Sequence, residues 1–421
     1  MLVFKFGGAS VKSAEAVKNI VKILGNYSDQ VVVVVSAMGK TTNALERIIE
    51  NFATRNEEKL KAEFAQLKLY HLEICEGLFS DKSHSIYSEL NQLFESLESR
   101  IQAEPALNYD FDYDQIIGYG ELLSTKIIAA YLQESGLPAR WIDVRKALKT
   151  DNTYREGRID WALSTMLVNE KFNFNGERFL VTQGFLASTS SNMTTSLGRE
   201  GSDYTAAILA HMLKAESVTI WKDVPGVLNA DPKYFDDTIL LEKLSYLDAI
   251  ELAYYGTSVI HPKTIKPLQN KNINLYVKSF IDPEAPGTMI GNLDYEKLVP
   301  SFIFKMDQVL IRISPHDFSF IAEDNQEKIF GIFHKHGLKM NLQQTSAISF
   351  QVVVNNDKRK LRLVVDELEE SFKVSYETGL ELVTIRYFDD ATIRRVMINK
   401  TLLLEQRGVQ NIQLLIRDLG S

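Results

Sequence analysis

Five consecutive valines, Val31–Val35, constrain the fold more than any other stretch of the sequence. A strand with one solvated face alternates apolar and polar residues, whereas an uninterrupted β-branched run is typical of a strand covered on both faces. Such strands occur in parallel sheets that carry helices on each side. The sequence therefore predicts an α/β fold built on a parallel sheet.

The composition is that of a soluble globular protein of about two domains, with 421 residues, 45% of them hydrophobic and 24% charged. No apolar run approaches the roughly 20 residues of a membrane span, and the N-terminal MLVFKFGG indicates a strand and turn rather than a signal peptide. We therefore expect no membrane partner. The net charge of −8 argues against a general nucleic-acid-binding protein. A single cysteine, Cys75, fits a reducing cytoplasm, and a catalytic thiol is not expected.

Residues 181–213 predict a strand, a polar loop and a helix. Residues 188–195 contain six hydroxyl side chains, which favours a loop that lines a polar site. Ser202 or Asp203 is expected to cap the helix that follows. Backbone amides at a helix start, with Arg199 beside them, favour an anion such as a carboxylate or a phosphate.

The chain begins with another strand, turn and helix. The apolar strand Leu2–Phe6 carries Lys5, and Gly7 and Gly8 follow it directly. Adjacent glycines let a phosphate approach the backbone, and Lys5 can direct a positive charge at it. A lysine within an otherwise apolar strand therefore indicates an anion-binding function.

A third candidate segment, WKDVPGVLNADPK, follows an apolar strand. Asp223 and Gly226 make it a rigid turn, and Lys222 and Lys233 add positive charge near its two ends. Open α/β sheets bind ligands at the carboxyl ends of their strands, so this turn is a candidate ligand contact.

Neither of the familiar nucleotide-binding motifs is complete. The GKTT of SAMGKTTN imitates the end of a P-loop, but Val34 occupies the position of its first glycine. Gly118 and Gly120 begin like a dinucleotide fingerprint, but Leu123 stands where its third glycine belongs. If this chain binds a nucleotide, a different fold binds it.

Between the valine strand and the next strand, at 139–144, the sequence is helical in period. It predicts an inserted helical lobe over about residues 43–135, and Glu121 lies in its last helix, in the sequence GELLST.

Seven segments in this order resemble the aspartate kinases of the amino acid kinase superfamily: KFGGAS, SAMGKTTN, GELLST, TQGF with TTSLGREGSDYTAA, WKDVPGVLNADP, LSYLDAIELAYYGTSVIHPKT and DPEAPGTMI. They span roughly residues 1–290. The resemblance implies a three-layer α/β sandwich with a central, mostly parallel sheet. It also implies transfer of the γ-phosphoryl group of MgATP to the side-chain carboxylate of L-aspartate, which gives 4-phospho-L-aspartate in the first step of lysine, threonine and methionine biosynthesis. ATP would bring the Mg²⁺, so no separate metal site is expected.

The resemblance assigns contacts with aspartate to Thr42, Glu121, Arg199, Ser202 and Asp203. Arg199 would bind the α-carboxylate through two parallel hydrogen bonds. Asp203 and Glu121 would receive the ammonium group or orient neighbouring cations, and the hydroxyls of Thr42 and Ser202 would add hydrogen bonds.

The resemblance assigns the nucleotide to Lys5, Gly7, Gly8, Lys222, Asp223, Gly226, Leu228, Lys233 and Ser258. Lys5 would hold the transferring phosphoryl group with the amides of the two glycines. Asp223 would lie nearest the phosphates, with Gly226 and Leu228 against the base and ribose. Lys5, Lys222 and Asp223 are the expected catalytic residues.

Departures from the family pattern cluster on the nucleotide side. Ser258 stands where relatives carry a phosphate-binding lysine, and Lys222 stands where they carry a threonine. We therefore predict that Lys222 replaces the missing lysine. Leu228 and Lys233 replace a tyrosine and an arginine, and Glu200 replaces a glycine beside the substrate arginine.

The rest of the chain resembles the regulatory part of the same family. We place a boundary near residue 296, with a catalytic domain at 1–295 and an ACT-type regulatory region at 296–421. A first βαββαβ copy is predicted over about 305–380. A second copy, over about 381–421, is predicted as a strand at 381–388, a helix to about 406 and a last strand at 411–417, and so to be abbreviated.

The regulatory region suggests an effector and a partner. Asn341 and Ala347 stand where lysine-sensitive relatives carry carboxylates, so an amino-acid effector site at Asn341, Thr345 and Ser346 would have a different ligand or none. Sheet edges in the second copy favour a homodimer formed through residues beyond about 300.

Three functions stay open from the sequence. The first is an active aspartate kinase, and the second is an amino acid kinase for glutamate, acetylglutamate or a nucleoside monophosphate. The third is a catalytically impaired amino-acid sensor that keeps its ACT region. A homoserine dehydrogenase fusion is not expected, because no dinucleotide-binding domain follows residue 421.

Overall fold

The computed structural model describes residues 1–256, 260–293, 299–317 and 319–419. The chain divides into two compact units. The first comprises Met1–Val227, Leu240–Ile250 and Val259–Asp294, and the second comprises Leu228–Ile239, Glu251–Ser258 and Tyr295–Ser421. The assignment of a catalytic and a regulatory domain with a boundary near residue 296 stays a prediction.

Strands of the first unit form an eight-stranded sheet in the order β3-β4-β2-β1-β7-β9-β10-β8, and a separate two-stranded hairpin of β5 and β6. They are β1 (Leu2–Phe6), β2 (Val31–Val35), β3 (Ala139–Ile142), β4 (Phe179–Gln183), β5 (Leu186–Ser188), β6 (Thr194–Ser196), β7 (Ser217–Lys222), β8 (Lys243–Ser245), β9 (Asn274–Ser279) and β10 (Thr288–Gly291).

The valine strand β2 lies inside this sheet, parallel to β1 on one side and to β4 on the other. All five of its residues are buried. Among the described strands of the sheet, β9 and β10 form the antiparallel pair, and the other neighbours are parallel. The predicted parallel α/β fold is confirmed.

In the described residues, ten α-helices accompany these strands, and the five from α2 to α6 occupy the stretch between β2 and β3 for which the sequence predicts helices. They are α1 (Ala14–Gly25), α2 (Thr41–Ala53), α3 (Glu57–Leu78), α4 (Ser85–Gln102), α5 (Tyr109–Ile117), α6 (Tyr119–Glu134), α7 (Trp161–Lys171), α8 (Gly201–Leu213), α9 (Tyr246–Tyr255, assigned to the second unit from Glu251 onward) and α10 (Pro262–Gln269). In the described part of the chain, no helix is both long and apolar enough to cross a membrane.

The second unit contains a six-stranded antiparallel sheet in the order β12-β13-β11-β14-β16-β15. In chain order its elements are β11 (Ser301–Ser314), α11 (Glu323–Lys335), β12 (Met340–Thr345), β13 (Phe350–Asn355), α12 (Lys358–Glu369), β14 (Lys373–Arg386), α13 (Asp390–Val396), β15 (Lys400–Arg407) and β16 (Asn411–Asp418). The first βαββαβ order is present, from the second half of β11 to the first half of β14.

The helix predicted to reach residue 406 is wrong. Asp389 and Thr392 start α13 with a reciprocal capping box, but α13 ends at Val396 and Asn399 turns the chain with a left-handed φ of 56°. The strand β15 follows, because its residues pair with β16 and bury Leu404. The hydrophobic run LLL fits either period, so it could not distinguish the helix from the strand.

The second copy is also more complete than predicted. The first half of β11, residues 301–305, pairs with residues 382–386 of β14 and supplies a fourth strand beside β14, β16 and β15. This strand precedes the first copy in the chain. The first copy is therefore nested inside the second.

Candidate functional site

A cavity of about 860 Å³ opens in the first unit at the carboxyl ends of parallel strands. Lys5 of β1 and Lys222 of β7 lie in its wall with Ser36, which follows β2, and Phe185, which follows β4. This edge of the sheet is where open α/β folds bind ligands.

The two strand lysines converge on one carboxylate. Lys5 Nζ lies 2.6 Å from Asp203 Oδ1, and Lys222 Nζ lies 3.5 Å from Asp203 Oδ2. The strands β1 and β7 are adjacent and parallel, with Lys5 opposite Ile220, so Lys222 falls two residues further on the same face of the sheet. The alternate residues Phe6 and Trp221 stack on each other across the same strand pair.

Asp203 is almost completely buried and holds the two cations together. Burial opposes its ionisation, but the nearby ammonium groups of Lys5 and Lys222 outweigh that cost and hold the pKa of Asp203 below its usual value. Its position in the first turn of α8 favours a negative charge as well. The cluster therefore places two cations beside one buried carboxylate.

The expectation that Ser202 or Asp203 caps α8 is wrong. The helix begins at Gly201, and Glu200 occupies the capping position with a left-handed φ of 56° and no side-chain cap. A Cβ at Gly201 would lie 2.6 Å from the Cβ of Phe185, so only glycine allows the helix to start this close to the chain after β4. Both predicted caps instead direct their side chains to other partners.

Glu121 forms the second buried carboxylate of the cavity. It accepts hydrogen bonds from the backbone N–H groups of Gly184 (2.7 Å) and Phe185 (2.8 Å) and from the hydroxyl of Ser202 (2.9 Å). Complete burial raises the pKa of Glu121 to about 7, although these hydrogen bonds and Lys5 act in the opposite direction. Glu121 therefore fixes α6, the end of β4 and the first turn of α8 around the cavity.

Three more of the predicted substrate residues reach the same cavity. Thr42 lies in the first turn of α2, Arg199 precedes α8 with an exposed side chain, and Ser202 lies in the first turn of α8. The unusual Glu200 also lines the cavity, half-buried. One of its carboxylate oxygens has no hydrogen-bond partner in the described part of the chain.

One wall of the cavity was missed by the sequence reasoning. Residues 153–156 line it, and the buried carboxylate of Asp114 on α5 anchors them by accepting the N–H of Arg155 at 2.8 Å. Asp114 also accepts the N–H of Ser196 at 2.9 Å and its hydroxyl at 2.6 Å. The Arg155 guanidinium lies 4.3 Å from the ring centroid of Tyr113. The sequence did contain one signal for this wall, because Asp114 is an acidic residue among the apolar positions of a predicted helix.

Several predicted nucleotide residues do not line this cavity. Gly7, Gly8, Asp223 and Gly226 belong to the first unit but lie outside its wall, and Asp223 is exposed. Gly226 has a φ of 153°, and a Cβ there would lie 2.6 Å from Thr288 Oγ1, so the turn itself requires glycine.

Two others, Leu228 and Lys233, belong to the second unit. Ser258 lies outside the described residues. The nucleotide assignments therefore stay predictions.

The predicted effector residues lie along one edge of the second unit. Asn341 and Thr345 are in the edge strand β12, and Ser346 follows it. The Asn341 side chain accepts a hydrogen bond from Lys305 Nζ at 3.0 Å and donates to Gln308 at 2.8 Å. Burial, and secondarily Lys339, lower the pKa of Lys305 to about 8. An amide network, rather than carboxylates, occupies this position.

The first cavity combines cations, buried carboxylates and hydroxyls at a strand edge. Lys5 and Lys222 can neutralise phosphoryl oxygens, and Arg199 can bind a carboxylate. Within the described residues, no group of three or more His, Cys, Asp or Glu side chains is arranged to hold a metal ion. The arrangement suits an anionic substrate that also carries a positive charge.

Comparison with known proteins identifies the family. Residues 1–279 match the model of the amino acid kinase family. The chain is 30% identical over 399 residues to lysine-sensitive aspartokinase 3 of Escherichia coli, covering 91% of this chain and 86% of that protein. It is 33% identical over 292 residues to bifunctional aspartokinase/homoserine dehydrogenase 2 of Arabidopsis thaliana, covering 68% of this chain but only 32% of the plant protein.

Solved structures give the same answer. The chain superposes on E. coli aspartokinase III in complex with lysine and aspartate (T-state) with a TM-score of 0.82 and 26% identity, over 100% of this chain and 96% of the other. The complex of the same enzyme with aspartate and ADP (R-state) gives 0.81 and 27%, over 99% and 96%. This chain belongs to the amino acid kinase family and, within it, to the aspartokinases.

Proposed function

We propose that this chain is an aspartate kinase that transfers the γ-phosphoryl group of MgATP to the side-chain carboxylate of L-aspartate. The observation that carries the proposal is the convergence of Lys5 and Lys222 on Asp203 in a cavity that Arg199 and Glu121 also line. The aspartokinases that this chain resembles support the same substrate, and the E. coli enzyme has been solved with aspartate and ADP.

The reaction needs cations and positioning rather than a base. A carboxylate with a pKa near ~4 is already ionised at pH 7, so no proton has to be removed from the acceptor. One of its oxygens attacks the γ-phosphorus while the bond to the β–γ bridging oxygen breaks, and ADP leaves with that electron pair. Lys5 and Lys222 neutralise the charge that builds on the phosphoryl oxygens, and Mg²⁺ arrives bound to ATP.

Substrate recognition divides between the two ends of the aspartate. Arg199 binds the α-carboxylate, and the buried carboxylate of Glu121 receives the ammonium group. Thr42 donates a hydroxyl hydrogen bond to the same molecule, and Ser202, whose hydroxyl proton is donated to Glu121, accepts one from the ammonium group. We assign aspartate rather than the longer glutamate because the aspartokinases that this chain resembles support it.

The nucleotide is held by the strand ends and by the turn after β7. Lys5 and the amides of Gly7 and Gly8 bind the transferring phosphoryl group, and Asp223 lies nearest the phosphates. Gly226 lies against the base and ribose. We assign to Lys222 the positive charge that Ser258 cannot supply.

Regulation and assembly form the remaining part of the proposal. Asn341, Thr345 and Ser346 form an amino-acid effector site, for which the lysine bound to the E. coli enzyme is the precedent. A homodimer forms through residues beyond about 300, and the protein works in the cytoplasm.

A coupled assay of ADP release tests the function. We expect turnover with L-aspartate and MgATP, less than about a hundredth of that rate with L-glutamate, and none without an acceptor. Trapping the acyl phosphate with hydroxylamine should give the β-hydroxamate of aspartate. Turnover with glutamate alone would assign another amino acid kinase, and no turnover with any acceptor would leave an amino-acid sensor.

A further inference from the structure

A second cavity, of about 680 Å³, lies in the first unit and takes no part in the reaction proposed above. Trp161 at the start of α7, Tyr204 and His211 of α8, and Lys263 and Lys266 of α10 line it. Its volume falls in the range of roughly 300–1,000 Å³ that is usual for sites of small organic molecules.

Two aromatic rings in contact line part of this cavity. Trp161 meets the edge of the His211 ring at a centroid distance of 5.2 Å and an interplanar angle of 71°. His211 Nδ1 lies 2.8 Å from the carbonyl oxygen of Pro267, which can only accept, so Nδ1 carries the proton and the ring is fixed. The indole of Trp161 is 38% exposed. These rings present fixed apolar faces to a flat ligand.

Positively charged side chains line the same cavity. Arg158, Lys263 and Lys266 line it together with a single carboxylate, Glu156. Within the described ranges, none of these three cations forms a salt bridge with a carboxylate. Asp151 is a nearby second anion, since it accepts the backbone N–H of Arg158 at 3.0 Å. Three cations still outnumber these two carboxylates, and beside aromatic side chains they favour a ligand that joins a flat apolar group to a negative charge.

We propose that this second cavity binds a small organic anion consisting of an aromatic or similarly flat group and a carboxylate or phosphate. The aromatic side chains hold the flat group, and Lys263, Lys266 and Arg158 hold the anionic group. Glu156 lines both cavities, so the ligand would lie directly behind the wall formed by residues 153–156.

The test uses naphthalene-1-carboxylate and its uncharged counterpart, naphthalene-1-carboxamide, measured by isothermal titration calorimetry. Saturating aspartate and MgADP are present, so that the first cavity is filled. We expect the carboxylate to bind once per chain and the amide to bind at least about tenfold more weakly, because only the acid offers a charge to the lysines.

Two variants locate the binding. Lys266→Glu reverses one of the lining charges and should weaken the carboxylate at least about tenfold, while Lys271→Glu changes an equally exposed lysine just beyond α10 and should leave it unchanged. Trp161→Ala should weaken both probes. Equal urea midpoints for the variants and the parent protein establish that each is folded. Absence of saturable binding, or binding that Lys266→Glu leaves within twofold, overturns the proposal.

Discussion

At the scale of single residues, the active cavity depends on shared charges. Asp203 is stable as a buried anion only because Lys5 and Lys222 both approach it. If one of the two lysines is removed, part of the free-energy cost of burying the charge on Asp203 is no longer compensated. The remaining lysine then interacts with a less stable anion, so each lysine affects the other through Asp203. The effects of substituting the two lysines should therefore not be additive.

The first prediction concerns Lys222. Lys222→Met should lower kcat about a hundredfold or more, because loss of one cation near the transferring group typically costs several kcal/mol of transition-state stabilisation. Steady-state kinetics with MgATP and aspartate measures it. Lys243→Met, which removes an exposed lysine from β8 away from the cavity, is the matched control.

Adding Ser258→Lys to the Lys222→Met variant should restore part of the lost kcat. Such a recovery would support the interpretation that a lysine at position 222 replaces the one that relatives carry at position 258. Near-normal kcat and nucleotide affinity in Lys222→Met would instead leave Lys5 and Mg²⁺ as the sufficient cations, and the role given to Lys222 would be wrong.

The second prediction uses the raised pKa of Glu121. A carboxyl group with a pKa of about 7 when folded, against 4.5 in its unperturbed state, contributes stability that is fully present below pH ~4.5 and is lost as pH rises through 7. Glu121→Gln removes this dependence. Urea unfolding at pH 5 and pH 8 should show the free energy of unfolding falling by about 2.5 kcal/mol more in the parent protein than in the variant.

The same variant should bind aspartate more weakly, because an amide cannot neutralise the ammonium group. An identical change of stability with pH in both proteins would contradict the assignment of the raised pKa to Glu121.

At the scale of elements, the wall formed by residues 153–156 is held by a helix rather than by its own contacts. Asp114 on α5 accepts the N–H groups of Arg155 and Ser196, and so joins this wall to the strand β6. Sequence reasoning predicted the helices on which Glu121 and Asp203 lie, because their apolar spacing is regular. It could not find the wall, because a segment without periodicity gives no pattern until its long-range partner is known.

Removing this anchor is the third prediction. Asp114→Ala should destabilise the protein by roughly 2–4 kcal/mol, because it leaves the buried N–H and hydroxyl of Ser196 and the part-buried N–H of Arg155 without their partner, and should raise the KM for aspartate. Asp110→Ala breaks only the half-exposed ion pair of Arg155 and should cost less than about 1 kcal/mol. Urea unfolding and amide hydrogen exchange at Arg155 and Ser196 provide the measurements. Equal losses in the two variants would mean that Asp114 does not anchor the wall.

At the scale of the whole molecule, the order of the helices and strands along the chain was more predictable than which strands pair with each other. The valine strand and the glycine turns indicated the parallel sheet, and the first βαββαβ order followed from alternating periods. Pairing of residues 301–305 with 382–386 joins segments about eighty positions apart, and no local pattern encodes it. The same limit applies to Lys222, whose approach to Asp203 depends on the order of strands in the sheet.

Assembly gives the fourth prediction. The strands β12 and β15 end the sheet of the second unit and leave backbone groups that can pair with another chain. We expect a homodimer, which multi-angle light scattering at micromolar concentration should detect, and a charged substitution on the exposed part of β12, Gln344→Lys, should weaken it. Gln406→Lys on β15 tests the opposite edge. A stable monomer at that concentration would contradict the prediction.

Because the first copy is nested inside the second, the two copies are also expected to fold in a fixed order during synthesis on the ribosome. Residues 301–305 emerge before the first copy, yet their partner strand is completed only after that copy has been synthesised. If the inner module folds first, it brings residues 301–305 close to residues 382–386. Pairing of these two segments then closes a short loop instead of a long one, which lowers the entropic cost of loop closure. A chain stopped after β14 would hold a finished inner module and an outer one that lacks β15 and β16. Translation arrest at that point should therefore give a partly protease-resistant intermediate, with the outer strands completing the sheet last.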